Sequence, residues 1–485
     1  MEGDLKLIIS GTLNGQEVGT QLSVKILPIP PTPNPPIPPA PAMDYGGYRP
    51  QLVPTHGMDT KGGRGPGGGV VPVIIRVNTL ADSGSVTLVG GDGSLLNPFV
   101  YTAPFRQALT FNAPRFILPE WSGYYTFNGR ANITSPYFTV AGQTAPGHVC
   151  IKGAPGPLPG TTSERGTIYV ATHNSIFQHI AIRPGDVCCN SAIQYYNLGN
   201  ASNVMHHNVL DHCSITWAQD EGVGINKTCS NIAVWRSIVA EILEATPNTG
   251  GCTGGGTSGG HGIAVSDGVK NVAILQNILA HNHERNPQVD GGTQGAVQNN
   301  IIYNPRPGPW FNRLAGGAYF WRVDGNYFKR DSINPQTQMT AIRSNNAING
   351  SQLYLNDNVF DNGPVPPPFT EFALIGYDPR VGIPNALSTI PGYTILTGQN
   401  AYTNALLVAG ARPKNRDAVD TRIVQTVTER TGTFVNTVSQ VGGYPTLPEI
   451  FAQFSIPANP FEVMDAVGRT RLELVLEDKA KLLEP

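Results

Sequence analysis

Three carboxylates fall within eleven residues in the segment 208–221, NVLDHCSITWAQDE: Asp211, Asp220 and Glu221. Carboxylate oxygens that converge at an exposed groove, with little lysine nearby, suit Ca²⁺, a hard cation that takes about 6–8 oxygen ligands. The same groups serve equally as a solvated acidic edge or as hydrogen-bond acceptors in turns. Further along, segment 280–289, AHNHERNPQV, carries His281, His283, Glu284 and Arg285. An arginine beside a carboxylate cluster can present its planar fork to an anionic group on a substrate. Paired with Glu284, it is a surface ion pair and nothing more. Glu241 and Glu244 are additional groove candidates, with a structural role equally open. His206, His207 and His212 resemble a metal triplet, but polar stacking positions suit them better.

Something repetitive must position these groups. The segments 208–215 (NVLDHCSI), 231–238 (NIAVWRSI) and 271–278 (NVAILQNI) share one pattern, with weaker copies at 297–302, 323–328 and 355–360. Anchored on the Ser or Asn near the end of each copy, the positions are 214, 237, 277, 300, 326 and 358, in steps of 23, 40, 23, 26 and 32. A step near 23 is one coil of a parallel β-helix, with two or three short strands per coil. Apolar residues point inward with period two and stack on their copies. A Ser or Asn at each bend can hydrogen-bond its copy above and below. Longer steps carry loops, among them 249–260, TGGCTGGGTSGG. Loops on one face of a solenoid commonly build its binding site. Leucine-rich repeats are excluded by the missing Leu lattice, and a β-sandwich explains the period poorly. Two helices are expected near the C-terminus, flanking the solenoid or crossing its end. One covers 417–429, with Val419, Ile423, Val424 and Val427 on one face, and the other covers 466–483.

Composition agrees with this reading. Only 14% of the 485 residues are charged, against about 25% in ordinary globular chains. The 56 Gly and 42 Pro favour short β elements joined by turns. A net charge of −2 gives no reason to expect a nucleic-acid partner, and no run of 18 apolar residues offers a membrane span. The opening MEGDLKLIIS lacks the basic and apolar regions of a signal peptide. An extracellular chain would then leave by another route, be trimmed, or ride on a larger particle. Six cysteines without a CxxC pair argue against a disulfide scaffold or a structural zinc site. Most are expected as buried apolar residues, with one or two bridges left open. Three regions are expected: a short β segment over 1–27 with a turn at Asn14-Gly15, a Pro-rich linker over 28–48, and the solenoid with its flanking helices over 49–485.

Motifs in a recognisable order point to a family. They are KGGRG (61–65), VNTLADSGS (77–85), FTVAGQTAPGHVCIKG (138–153), IRPGD (182–186), DHCS (211–214) with Trp217 and Asp220-Glu221, and Arg285-Asn286-Pro287. In this order the chain resembles the pectate lyases of polysaccharide lyase family 1, over roughly residues 50–480. The resemblance implies a right-handed parallel β-helix and Ca²⁺-dependent β-elimination of polygalacturonate to 4,5-unsaturated oligogalacturonides. It implies Asp211 and Asp220 as metal ligands, with Glu221 as the substitute for a further one, and Arg285 as the catalytic base. It places His261 where the family carries a lysine; Arg183 is a candidate substrate contact, and Arg306 and Arg313 are candidates to replace a missing second arginine. A further acidic ligand expected after Asp220 falls on Gly224, and a second arginine expected after Arg285 falls near Asp290. Competing readings are a lyase or hydrolase for another acidic polysaccharide, or a carbohydrate-binding fibre such as a viral tail spike. A monomer is expected, or a trimer if the chain is a tail spike, which could still be a lyase.

Overall fold

A computed structural model describes residues 3–13, 16–26, 56–155, 164–187, 190–200, 202, 204–244, 259–305, 308–312, 317–330, 341–361, 375–376, 381–382, 384, 387–466 and 468–485. The chain divides into two units, Met1–Ala40 and Pro41–Pro485. In the first, Gly3–Leu13 pairs antiparallel with Gln16–Ile26, and Leu13 faces Gln16. That is the hairpin expected around Asn14-Gly15. The proline-rich stretch 28–48 lies outside the described residues.

The second unit is a right-handed parallel β-helix, the hand that twisted strands favour in parallel crossovers. Its strands form three sheets of twelve, nine and nine strands. Each coil gives one strand to each sheet. One coil runs Met205–Asp211, Ser214–Thr216 and Glu221–Ile225, and the next runs Cys229–Trp235, Ile238–Ala240 and His261–Val265. Register converts period-two alternation into internal columns. Ile117, Val140, Phe177, Leu210, Val234, Ile274, Val297 and Val323 lie opposite one another down the largest sheet, all buried in one core. Helix Phe105–Thr110 adds Phe105, Ala108 and Leu109 to the same core.

The polar ladder is present, shifted by one residue at its start. Cys213 N–H donates to Ser237 Oγ, and Ser237 N–H donates to Asn277 Oδ1. Asn277, Asn300, Asn326 and Asn358 continue it, each backbone N–H donating to the next Oδ1 at 2.9–3.1 Å. Cys213 therefore holds the position expected for Ser214. Ser214 sits one residue on, opposite Ile238. The residue before each of these positions is left-handed: His212, Arg236, Gln276, Asn299, Gly325 and Asp357 all have φ between 47° and 63°. Such a bend costs most side chains energy, and Asn, Asp and Gly tolerate it best. Asn300→Ala should leave the Asn277 N–H and amide without their acceptor, destabilising the protein by about 3 kcal/mol. A lower urea midpoint with an unchanged slope is the expected reading.

Two of the C-terminal helices were expected. Ala418–Glu429 starts at Asp417, whose carboxylate accepts from the Val419 and Asp420 N–H groups. Its Val419, Ile423 and Val427 pack on Ile238, Ala240, Ile278, Ala280, Ile301 and Tyr303. Arg471–Leu483 starts at a Thr470–Glu473 capping box and lays Leu472, Leu476 and Ala480 on Ile74, Phe116, Leu118 and Ala141. Both helices run along the flank of the solenoid. The periodicity missed Gly398–Val408, where Gly398, Asn400 and Asn404 interrupt any apolar stripe. Among the described residues no helix is long and apolar enough to cross a membrane. Cys150, Cys213 and Cys229 are buried free thiols. Cys188, Cys189 and Cys252 lie outside the described residues.

Candidate active site

One row of polar side chains crosses three coils at the starts of strands in a nine-stranded sheet. Glu221 opens Glu221–Ile225 and His261 opens His261–Val265, directly opposite it. His261 also bridges to Glu284, one coil further on. Asp220 precedes Glu221, and Arg285 follows Glu284. The row therefore gathers Asp220, Glu221, His261, Glu284 and Arg285 from segments far apart in the chain.

Each member is held by its neighbours. Arg285 Nη1 pairs with Glu221 Oε1. Ser191 Oγ donates to Glu221 Oε2 at 2.5 Å, and Gln194 Nε2 donates to Ser191 Oγ at 2.7 Å. His261 Nδ1 lies 3.2 Å from Asp220 Oδ1. Burial and then the Asp220 charge push the Glu221 carboxyl up to about 7, and Arg285 offsets only part of this. Burial, followed by the Arg285 charge, pushes the His261 imidazole down to about 4, so it is neutral near neutrality and donates to Asp220. Two crowded carboxylates, a neutral imidazole and a guanidinium thus share one face. Asp220, Glu221 and His261 offer ligand atoms within 4.8 Å of one another.

Three expectations need correction or closure. Asp211 is not in this cluster. It ends Met205–Asp211 in the twelve-stranded sheet, two bends before Glu221 in the same coil, and its register partners are Gln178 and Trp235. It accepts from Gln178 and lies 2.5 Å from its neighbour His212 Nδ1, fully buried. Closeness along the sequence placed it on the wrong face, because each bend turns the chain to another sheet. Arg183 does not face a substrate either. It is wholly buried and binds Asp417 and Asp420 of the flanking helix. Arg306 and Arg313 lie outside the described residues.

The remaining candidates fall into place. Glu241 is buried and paired through both oxygens with Arg422. Glu244 lies 3.1 Å from His283 Nε2. Two of the three histidines stack, His206 on His173 and His212 on His179, with ring centres 4.5 and 5.0 Å apart, while His207 lies edge-on to His206 and 3.1 Å from Asp59. Ser191 and Gln194 were not anticipated. Only the register, which places segment 191–195 one coil before Glu221, brings them to the site.

Fold and site define a class: a parallel β-helix protein with an acidic, arginine-bearing face. No family model matches the chain. A curated relative in Aspergillus fumigatus, "Probable pectate lyase C", is 29% identical over 331 residues, covering 65% of this chain and 68% of the relative. The protein of the same name in Aspergillus oryzae is 27% identical over 399 residues, 78% of each chain. Among solved structures, the thermostable pectate lyase PL 47 covers 74% of this chain and 96% of its own, at 11% identity and a TM-score of 0.47. Jun a 1, the major allergen from cedar pollen, covers 74% and 92%, at 12% identity and a TM-score of 0.45. The chain is similar, in particular, to proteins named pectate lyase.

Proposed function

We propose that this protein cleaves polygalacturonate by Ca²⁺-dependent β-elimination, leaving 4,5-unsaturated ends, with the chemistry on the Asp220–Glu221–His261–Arg285 face. Kinship with proteins named pectate lyase makes it a polysaccharide lyase. The row across three coils carries the reading to these residues.

The residues present suit Ca²⁺ in part. Burial first and the Asp220 charge second raise the Glu221 carboxyl, and a divalent cation beside the two carboxylates offsets both. His261 is a nitrogen donor and a poor calcium ligand. Its part is to orient the Asp220 carboxylate. Two protein carboxylates leave most of a calcium shell to water and to a uronate carboxylate. Bound there, Ca²⁺ would draw charge from the uronate carboxylate and make the C5 proton more acidic.

Arg285 is the proposed acceptor of that proton. A guanidinium is a demanding choice, because its pKa lies above about 12. In the free protein Arg285 is paired with Glu221. That pairing has to loosen when substrate enters for Arg285 to take a proton. Ser191 keeps the other Glu221 oxygen in place meanwhile. The electron pair left at C5 then forms the C4–C5 double bond as the 4-O-glycosidic bond breaks, and the departing oxygen takes a proton from water, with an extracellular polysaccharide as substrate.

The experiment is ultraviolet absorbance of the unsaturated end on polygalacturonate, with Ca²⁺ and with chelator. Absorbance should rise with Ca²⁺ and fall at least about 100-fold in rate with chelator. No rise in either condition sinks the substrate and directs attention to other acidic polysaccharides or to a binding fibre.

A further inference from the structure

The second cluster of metal-ligating side chains lies away from this face, on the flank where the last helix packs. His179 and His212 occupy equivalent bends on adjacent coils, both left-handed, with φ of 54° and 49°. Their rings stack at 5.0 Å and 18°, and both are fully buried. Glu484, just beyond helix Arg471–Leu483, reaches over them.

The hydrogen-bond pattern around them is unusual. His179 Nδ1 lies 2.8 Å from the Ala411 carbonyl oxygen, which can only accept, so this nitrogen carries the proton. His179 Nε2 is buried and makes no hydrogen bond. It faces Glu484 Oε1 at 3.3 Å. The same oxygen lies 3.7 Å from His212 Nδ1, which is 2.5 Å from Asp211 Oδ1. A buried nitrogen facing a carboxylate oxygen calls for positive charge between them, from a proton or from a metal. The distances from Glu484 Oε1 to the two imidazoles, 3.3 and 3.7 Å, lie near those of a metal site. Donors about 2.0–2.2 Å from a tetrahedral zinc are themselves about 3.3–3.6 Å apart. The supporting contacts fit as well. A backbone carbonyl fixes the His179 tautomer, and Gln178 holds the far oxygen of Asp211, as outer partners do in zinc sites.

We infer that His179 Nε2, His212 and the Glu484 carboxylate form a structural site for a zinc-type divalent cation that ties the C-terminal helix to the solenoid. Two imidazoles and a carboxylate select Zn²⁺ over Ca²⁺, which prefers oxygen donors throughout. The site serves stability and is separate from the substrate face.

The test uses the full chain, stripped with chelator, desalted and titrated with Zn²⁺ by calorimetry. An Asp220→Asn, His261→Gln background keeps the other cluster from being counted. The expected result is a single equivalent bound, with a melting temperature raised by about 2 °C or more. Co²⁺ in its place should show the intense visible bands of a tetrahedral site. His179→Gln should abolish uptake. Should that buried variant fail to fold, Glu484→Gln, at the margin of the site, should fold and weaken Zn²⁺ binding by about tenfold or more. No uptake in the background protein, or uptake unchanged by Glu484→Gln, overturns the site and leaves a shared proton between His179 and Glu484 instead.

Discussion

Arg285→Ala should lower kcat on polygalacturonate by on the order of 10³-fold, with KM changed by less than about threefold. The loss falls on kcat because a proton acceptor acts in the transition state and contributes little to ground-state binding. The variant should fold normally. Arg285 is part-exposed, and its partner Glu221 keeps the Ser191 hydroxyl when the guanidinium is gone. Arg285→Lys retains the charge but loses the planar fork, and should recover little of the rate. A fall in KM performance with kcat intact would instead make Arg285 a substrate-binding residue and remove it from the chemistry.

Arg183→Leu should be the most destabilising single change in the solenoid, costing about 3–5 kcal/mol. Arg183 is wholly buried and spans two carboxylates, at 2.5 Å from Asp417 Oδ2 and 2.7 Å from Asp420 Oδ1. Burial alone would raise the Asp417 carboxyl, but the Arg183 charge overrides it and holds it at about 2. Asp420 moves the other way, raised by burial and by the Asp417 charge. Without Arg183 both carboxylates are left in a dry interface. Asp417 is also the cap of helix Ala418–Glu429, so the helix loosens with it. Adding Asp417→Asn and Asp420→Asn to Arg183→Leu should restore most of the loss, because the buried charges vanish together. Urea unfolding measures both. The KM of whatever folds should stay unchanged, which separates this structural role from the substrate contact expected from the sequence.

The sequence carries the architecture well and the side-chain neighbourhoods poorly. Asn277, Asn300, Asn326 and Asn358 were legible as a ladder because stacking forces the same residue type into the same bend coil after coil. The slip between Cys213 and Ser214 arose because both are small and adjacent, and only the pairing of Ser214 with Ile238 decides between them. Asp220, Glu221 and Arg285 were legible through motif order, and the structure brings them to one face. Asp211 was misplaced because chain distance says nothing of how many bends intervene. The partners of Arg183 come from a helix more than 230 residues away, and no local pattern announces them. Ser191 is equally silent in the sequence, a serine like many others until the register sets it beneath Glu221.

The ladder has an evolutionary meaning. Ser237 and Asn277 are forty positions apart in the chain, while Asn277 and Asn300 are only 23 apart, yet the bonds joining them are 2.8 and 2.9 Å. Excursions of very different length thus leave the scaffold's pitch untouched. Insertions between rungs become nearly neutral to the frame, and selection is free to lengthen, shorten or recompose the walls around the carboxylates without moving them. A lineage built on such a frame can change which polymer it grips far faster than it can change what it does to the bond.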